Sequence, residues 1–509
     1  MLAVVVGEPL DIETVVAAAR GARVEVSSAA CERMLASRRV VDDAVASGRT
    51  VYGVTTGLGS LANVRLAPDD LRTLQHRLLR SHAVGVGPPL SQEEVRAMLV
   101  LRAHVLALGH SGVRPLIVDR LVELLNRGVV PIVPEQGSLG ASGDLAPLAH
   151  LALPLIGEGE ATLDGERMTG AAALDKLGLE PLQLEPKEGL ALVNGTQALL
   201  AVGLLASERA RALAKVADIA AAMTVEAVLG TDRAFDARLQ ALRPHPGQGA
   251  SAANLRRLLQ GSPVMASHRD SEHLVQDAYS LRCAPQVHGA FRDTLAHART
   301  VMEIEIGSVS DNPIVLAGDD EVISGGNFHG QPVAVVLDSL AAATVALASI
   351  SERRLYRVLD PTTNGGLPAF LVDRPGMNSG LMILQYTAAS VVSESKSLAH
   401  PASIDSIPSS AGQEDHVSMG MTSARHARDC VSNAEMVVAL EALSAAQALD
   451  LRKPLRPAEG TAAAVRAIRS VVAFLDEDRQ LKPDVDAAIE LVRSGGLLAA
   501  VEDAVGLLD

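Results

Sequence analysis

Apolar positions along this chain recur with helical spacing far more often than with the alternation of a strand. Ser91 and Glu94 have the spacing of a capping box, and Val95, Met98, Leu99, Leu101, Val105 and Leu108 follow until Gly109 supplies a stop. Blocks of Ala, Leu and Val over 197–229, 332–351 and 431–451 are too long for strands. They are apolar on more than one face, as helices at the centre of a bundle are. Strand-like sequence is sparse, with 129–133 the clearest run. The pattern predicts a mainly all-α fold, with a smaller, loop-rich N-terminal region over 1–200 and a long central helical bundle with C-terminal helices over 201–509.

No short internal repeat or low-complexity linker breaks this pattern. One uncharged stretch, 189–207, has the length of a membrane span. It contains Asn194, Thr196 and Gln197 and has no second comparable span beside it, so a buried bundle helix is expected and no membrane. Glycine-rich segments at 53–59, 137–143, 325–330 and 376–380 interrupt the helices. Irregular loops between rigid elements are natural places for chemistry, although each alone reads as an ordinary connection.

Composition narrows the picture. Hydrophobic residues make up 48% and charged residues 21% of 509, the balance of a folded protein. Aromatics are 2% and Trp is absent, so the core must be Ala, Leu and Val. A net charge of −15 without any Lys/Arg run argues against a nucleic-acid partner. Cys31, Cys283 and Cys430 are too widely spaced for a disulfide framework or a zinc site, which suits a reducing, cytoplasmic setting. The apolar stretch 2–6 is cut off by Gly7, Glu8 and Asp11, too soon for a secretory signal.

The segment Gly140-Ala141-Ser142-Gly143-Asp144 carries the most unusual chemistry. With no bulky Cβ to resist the turn, the Gly143 nitrogen can reach the Ala141 carbonyl. Attack and loss of water would close a five-membered ring, and loss of the Ser142 hydroxyl as water would leave an exocyclic alkene. That alkene is an electrophile made without any added cofactor. By composition alone the same residues read as a flexible turn before a helix capped by Asp144.

The run GSLGASGDLAPLAH at 137–150 resembles the cofactor-forming motif of the histidine/phenylalanine ammonia-lyase family. Similar motifs extend from Tyr52 to beyond Met419, so the resemblance covers nearly the whole chain. It implies an all-helical homotetramer whose active sites draw on more than one subunit. It also implies a methylidene-imidazolone (MIO) ring formed autocatalytically from Ala141, Ser142 and Gly143, with no PLP, nucleotide or metal. The implied reaction is non-oxidative deamination of L-histidine to trans-urocanate, the first step of histidine degradation. A lyase or aminomutase acting on another aromatic amino acid is the alternative.

Elimination of ammonia meets a poor leaving group and a weakly acidic β-hydrogen. An electrophile that captures the amine answers the first, and a placed base the second. The resemblance makes Tyr52, in Tyr52-Gly53-Val54-Thr55-Thr56-Gly57, the general base. It sets Gln276 and Tyr279 along the site, with Tyr279 catalytic, and gives Arg282 the substrate carboxylate, a task that suits a planar guanidinium. The spacing of Gln276, Tyr279 and Arg282 fits one face of a helix. Asn194 would lie near the MIO ring and the amine, and Phe328, in Gly325-Gly326-Asn327-Phe328-His329-Gly330, would shape the ring's pocket. His82 and Glu414 resemble the residues that histidine-specific members place against the imidazole, with Glu414 its acidic partner. Such polar partners should reject a plain phenyl ring.

Thr55, Leu58, Arg77 and Gly412 depart from the family's usual residues, and all are expected to flank the site. Other readings are weaker. The segment 57–62 fits GxGxxA but lacks alternating strands and helices. His268 with Glu272 and His273 misses an inverted zinc motif by one residue, and Asp144 spoils a GxSxG match at Ser142. A structural helical bundle without activity is the non-enzyme alternative.

Overall fold

The computed structural model describes residues 3–67, 69–271 and 275–509; Glu272 and His273 of the zinc-motif comparison lie outside them. Twenty α-helices and nine strands occur among the described residues, and no strand exceeds four residues, so the chain is mainly all-α as expected. The predicted capping box is formed. Ser91 Oγ accepts from the Glu94 N–H at 3.2 Å and Glu94 Oε2 accepts from the Ser91 N–H at 2.8 Å, opening the Gln92–Ala107 helix. The 129–133 run yields the short strand Val130–Pro131, paired antiparallel with Glu160–Leu163.

The three apolar blocks become the long helices Gln197–Ala227, Gln331–Leu359 and Gly420–Leu451. The last two overrun their predicted limits. Charged residues such as Arg354 find partners inside the protein, so polarity does not end these helices. The 189–207 stretch, by contrast, is not one helix. Glu188–Val193 stops at Asn194 (φ −94°, ψ 116°), Gly195 turns with φ +145°, and a new helix starts at Gln197. The helix with the length and composition of a membrane span is Gln331–Leu359, with 56% of its apolar window buried. Its Asp338 carboxylate accepts from the Ser403 N–H at 2.8 Å.

Two compact units can be distinguished. The first comprises Met1–Leu205, Ala298–Asp338 and Pro401–Arg425, and the second Ala206–His297, Ser339–His400 and His426–Asp509. All the small sheets belong to the first unit, including the parallel pair Val4–Val6 and Val24–Val26 and the hairpin Ile314–Leu316 with Glu321–Ile323. The core of the second unit is almost wholly aliphatic, with Ala217, Ala221, Leu347, Leu355, Val438 and Ala445 all buried. Small alanines let the helix backbones approach closely.

Within that core sit two charged networks. Arg354 Nε and Nη2 donate to the Glu441 oxygens at 2.6 and 2.8 Å, and neither side chain is exposed. Thr224 Oγ1 and Ser351 Oγ donate to the same carboxylate at 2.8 and 2.6 Å. Asp218 accepts from Ser251 Oγ, Asn254 Nδ2 and Arg292 Nη2 at 2.6, 3.0 and 2.6 Å, and faces His288 Nδ1 at 2.7 Å. Burial pushes the Asp218 carboxyl up, but Arg292 and His288 outweigh it and hold it at about 2.

Breaking one partner of a buried pair leaves an uncompensated charge, at a cost of about 3–5 kcal/mol. Glu441→Leu should therefore lower the unfolding midpoint strongly, whereas Arg354→Met combined with Glu441→Leu should recover most of the loss. Urea unfolding of both variants checks this; a single variant as stable as the parent would contradict it.

Candidate active site

Three segments of the first unit meet at glycines. The Asp144 N–H donates to the Gly195 carbonyl at 2.7 Å, and the Gly195 N–H donates to the Ser142 carbonyl at 3.3 Å. Gly143 has φ +74°, and a Cβ there would collide with the Gly195 carbonyl. Gly140 has φ +81°, and a Cβ there would strike Ser418 Oγ, while the Met419 N–H donates to the Leu139 carbonyl at 3.0 Å. Only glycine permits these approaches. The 140–143 turn is thus clamped by main chain on both sides, and Ser142 is left facing a cavity.

Asp144 does not cap the Leu145–Ala152 helix that follows it. Its carboxylate instead accepts from the Leu199 N–H and from Ser138 Oγ, each at 2.8 Å. Leu199 lies in the first turn of the Gln197–Ala227 helix, so a carboxylate from another segment satisfies that helix's free N–H. Burial pushes the Asp144 carboxyl up to about 6, with the Leu199 and Ser138 hydrogen bonds opposing the rise.

Behind the turn, Arg102 is fully buried between the apolar Leu101 and Ala103 of the Gln92–Ala107 helix, and its Nη1 donates to the Asn194 carbonyl at 2.7 Å. Burial lowers its guanidinium to about 10, still charged at neutral pH. Lys187 and Asp311 form a second buried pair at 2.7 Å. Asn194 is 2% exposed; its Nδ2 lies 3.5 Å from the Asn312 carbonyl and its Oδ1 has no partner. An orphaned buried amide oxygen is costly unless something comes to meet it. The glycine clamp and this oxygen together suit a ring formed from the Ala141–Gly143 main chain.

The cavity in front has a volume of about 600 Å³, and Tyr52, Leu58, Arg77, His82, Ser142 and Glu414 are among the residues that line it. Tyr52 stands on a loop held by two threonines. Thr55 Oγ1 accepts from the Val51 N–H at 2.9 Å and Thr56 Oγ1 from the Gly53 N–H at 3.2 Å. The Tyr52 hydroxyl oxygen accepts from the Gly59 N–H at 3.2 Å. His82 ends the Asp70–His82 helix with Nδ1 2.9 Å from the Leu78 carbonyl. Nδ1 also lies 3.0 Å from Ser81 Oγ. Glu414 Oε2 accepts from Ser409 Oγ at 2.7 Å, which leaves Oε1 to a ligand.

The family pattern described as aromatic amino acid lyase matches residues 10–470. The chain belongs to this family. This aromatic amino acid lyase is 56% identical to a histidine ammonia-lyase of Sorangium cellulosum over 99% of both chains, and 54% identical to that of Symbiobacterium thermophilum over 100% of both. Among solved structures it is similar to a tyrosine aminomutase from Streptomyces globisporus, with TM-score 0.95, 39% identity and 100% of each chain covered. It is also similar to the histidine ammonia-lyase of Trypanosoma cruzi, with TM-score 0.91, 43% identity and 99% and 96% of the two chains covered.

Of the lyase's sequence-predicted residues, Tyr52, His82, Ser142 and Glu414 share one cavity, with Ala141, Gly143 and Asn194 in and behind the clamped turn. Phe328 is half-buried in a turn and does not line this cavity. Gln276, Tyr279 and Arg282 belong to the second unit. They do not share a helix face, because the helix there is only Tyr279–Arg282 and Gln276 lies in a bend before it. They are joined otherwise: the Arg282 guanidinium lies 4.5 Å over the Tyr279 ring, and with its amide suitably turned Gln276 accepts from Arg282 Nη1 at 2.6 Å. Tyr279 is 70% exposed.

Leu58 and Arg77, which flank expected site residues, line the cavity as well. The scaffold residues Arg102, Lys187 and Asp311 were not among the predicted residues. Arg102 carried a signal, a lone Arg amid the apolar positions of its helix; Lys187 and Asp311 are far apart in sequence and carried none.

Asp144 binds its proton more tightly folded than unfolded, its ordinary value being 3.8 against about 6 in the protein. Its contribution to stability is therefore complete below about pH 4 and is lost as pH rises through about 6. Asp144→Asn removes this titration, so the variant's melting midpoint should fall less steeply than the parent's over that window. Identical slopes would refute the assignment.

Proposed function

We propose that this C–N lyase removes ammonia from L-histidine to give trans-urocanate, with an MIO ring built from Ala141, Ser142 and Gly143. The observation that carries the reading is the meeting of Ser142, Tyr52, His82 and Glu414 around one cavity. When formed, the ring supplies an electron-poor alkene that captures the substrate amine and makes it a better leaving group. The glycine clamp holds it in place, and Asn194 Oδ1 accepts a hydrogen bond from the amine side.

Tyr52 acts as the phenolate, whose oxygen takes the β-proton and becomes the neutral hydroxyl; the Gly59 N–H donates to that oxygen and supports its charge beforehand. Glu414 Oε1 accepts from the imidazole N–H and His82 Nε2 meets the other ring nitrogen, so together they select an imidazole over a phenyl ring, which offers neither group. The substrate carboxylate is assigned to Arg282, with Gln276 and Tyr279 beside it. Since Gln276 and Tyr279 stand exposed on the second unit, with Arg282 half-buried beside them, we assign the three to the cavity of another copy in a cytoplasmic homotetramer. Phe328 is placed at the rim of the ring's pocket. Activity on another aromatic amino acid remains the second reading, favoured by the 0.95 TM-score to a tyrosine aminomutase.

Purified protein should generate urocanate absorbance from histidine and no new product from tyrosine or phenylalanine; turnover of tyrosine alone would replace histidine as substrate. The native chain's mass should be short by two waters, and Ser142→Ala should restore that mass and abolish most activity while the fold persists. His82→Leu should lower kcat/KM for histidine by tenfold or more, about the worth of one hydrogen bond to a polar ligand group. Unchanged kcat/KM would remove His82 from substrate recognition.

A further inference from the structure

The second unit holds a cavity of about 1320 Å³ whose lining includes none of the residues assigned above to the reaction. Its wall carries five arginines, Arg233, Arg238, Arg256, Arg257 and Arg269, against two aspartates, Asp232 and Asp236. A surplus of three positive charges in one concavity is notable in a chain whose net charge is −15. The arginines come from several segments: a short turn at 233–235, the Ala237–Ala241 helix, the Pro246–Leu258 helix and the chain near 269. Convergence from separate elements is what distinguishes a site from a charged helix face.

The guanidinium groups are held but not used up. Arg256 Nη1 donates to the Phe235 carbonyl at 2.5 Å, and Arg257 Nη1 donates to the Leu507 carbonyl. Each keeps further N–H donors from its fork of five. Arg269 reaches Asp232 at 3.3 Å with its side chain 54% exposed. Arg238 pairs with Asp236 at 2.7 Å with its side chain 91% exposed, a geometry of little net worth that an incoming anion can share. Arg233 has no side-chain partner among the described residues and also borders a second cavity, of about 140 Å³, that includes Gln276 and Asp277. On the same wall Leu239 and Leu242 are 51% and 83% exposed, an apolar shelf beside the cations.

We propose that this cavity binds a small polyphosphate anion bearing a flat or apolar portion, the class to which nucleoside polyphosphates belong. Forked guanidinium groups match phosphate oxygens in pairs, and three surplus charges suit a diphosphate or triphosphate better than a single carboxylate. The leucine shelf takes the apolar portion. A long nucleic acid is disfavoured by the negative charge of the rest of the chain.

Calorimetric titration of the full-length protein with inorganic pyrophosphate, ATP and adenosine, without magnesium, tests this. Pyrophosphate and ATP should bind saturably, ATP more tightly, and adenosine should not bind. Affinity should fall as salt is added. Arg233→Ala with Arg238→Ala should weaken both anions by about tenfold or more, and Arg233→Ala alone, at an exposed position, gives a smaller loss in the same direction. Absence of saturable binding, or binding undiminished in these variants, overturns the site. ATP no tighter than pyrophosphate, or adenosine as tight as ATP, overturns the nucleoside assignment.

Discussion

Everything in the first unit depends on two stretches of main chain touching where no side chain can intervene. The Gly143 and Gly195 backbones approach so closely that the peptide units on either side become each other's hydrogen-bond partners. That contact fixes the turn bearing Ser142, and it also breaks what would otherwise be a continuous apolar helix at Asn194. One constraint thus creates both the serine that faces the cavity and the buried amide behind it. The carboxylate of Asp144 extends the same lock to the start of the Gln197–Ala227 helix. The reactive turn is thereby tied to one of the longest rigid elements of the chain.

Rigidity around the turn is bought with buried charge. Arg102, Lys187, Asp311 and Asp144 all lie out of contact with water, a costly arrangement unless each finds partners. Here the partners are mostly main-chain groups and one ion pair. The second unit repeats the device with Arg354 and Glu441 among aliphatic helices. An Ala-rich interior packs well but specifies little, since small side chains interlock in many ways. A few buried polar contacts give such a core one preferred register.

Long helices were legible in the sequence because length and composition alone set them apart from strands. Their ends were less so: the Gln331–Leu359 helix continues through Arg354, and only a distant Glu441 makes that possible. The interruption at Asn194 was hidden for the same reason, since Gly143 and Gly195 announce flexibility and not their mutual contact. At the candidate site, Ser142, Tyr52, His82 and Glu414 could be picked out by motif, and they converge on one cavity. That Arg77 and Leu58 also face the cavity could not be read from spacing, which does not say which way a helix face or loop turns. Gln276, Tyr279 and Arg282 were expected on one helix face, but Gln276 meets Arg282 from a bend before the helix, whose geometry follows from packing and not from periodicity.

The nearly ring-free interior has an optical consequence. With no tryptophan and four tyrosines in 509 residues, the chain absorbs and emits weakly in the near ultraviolet. Any conjugated group made from its own main chain stands out against that dark background, and so does an unsaturated product. On the proposed function, light alone would follow both the maturation of the turn and the work it does, with no label attached.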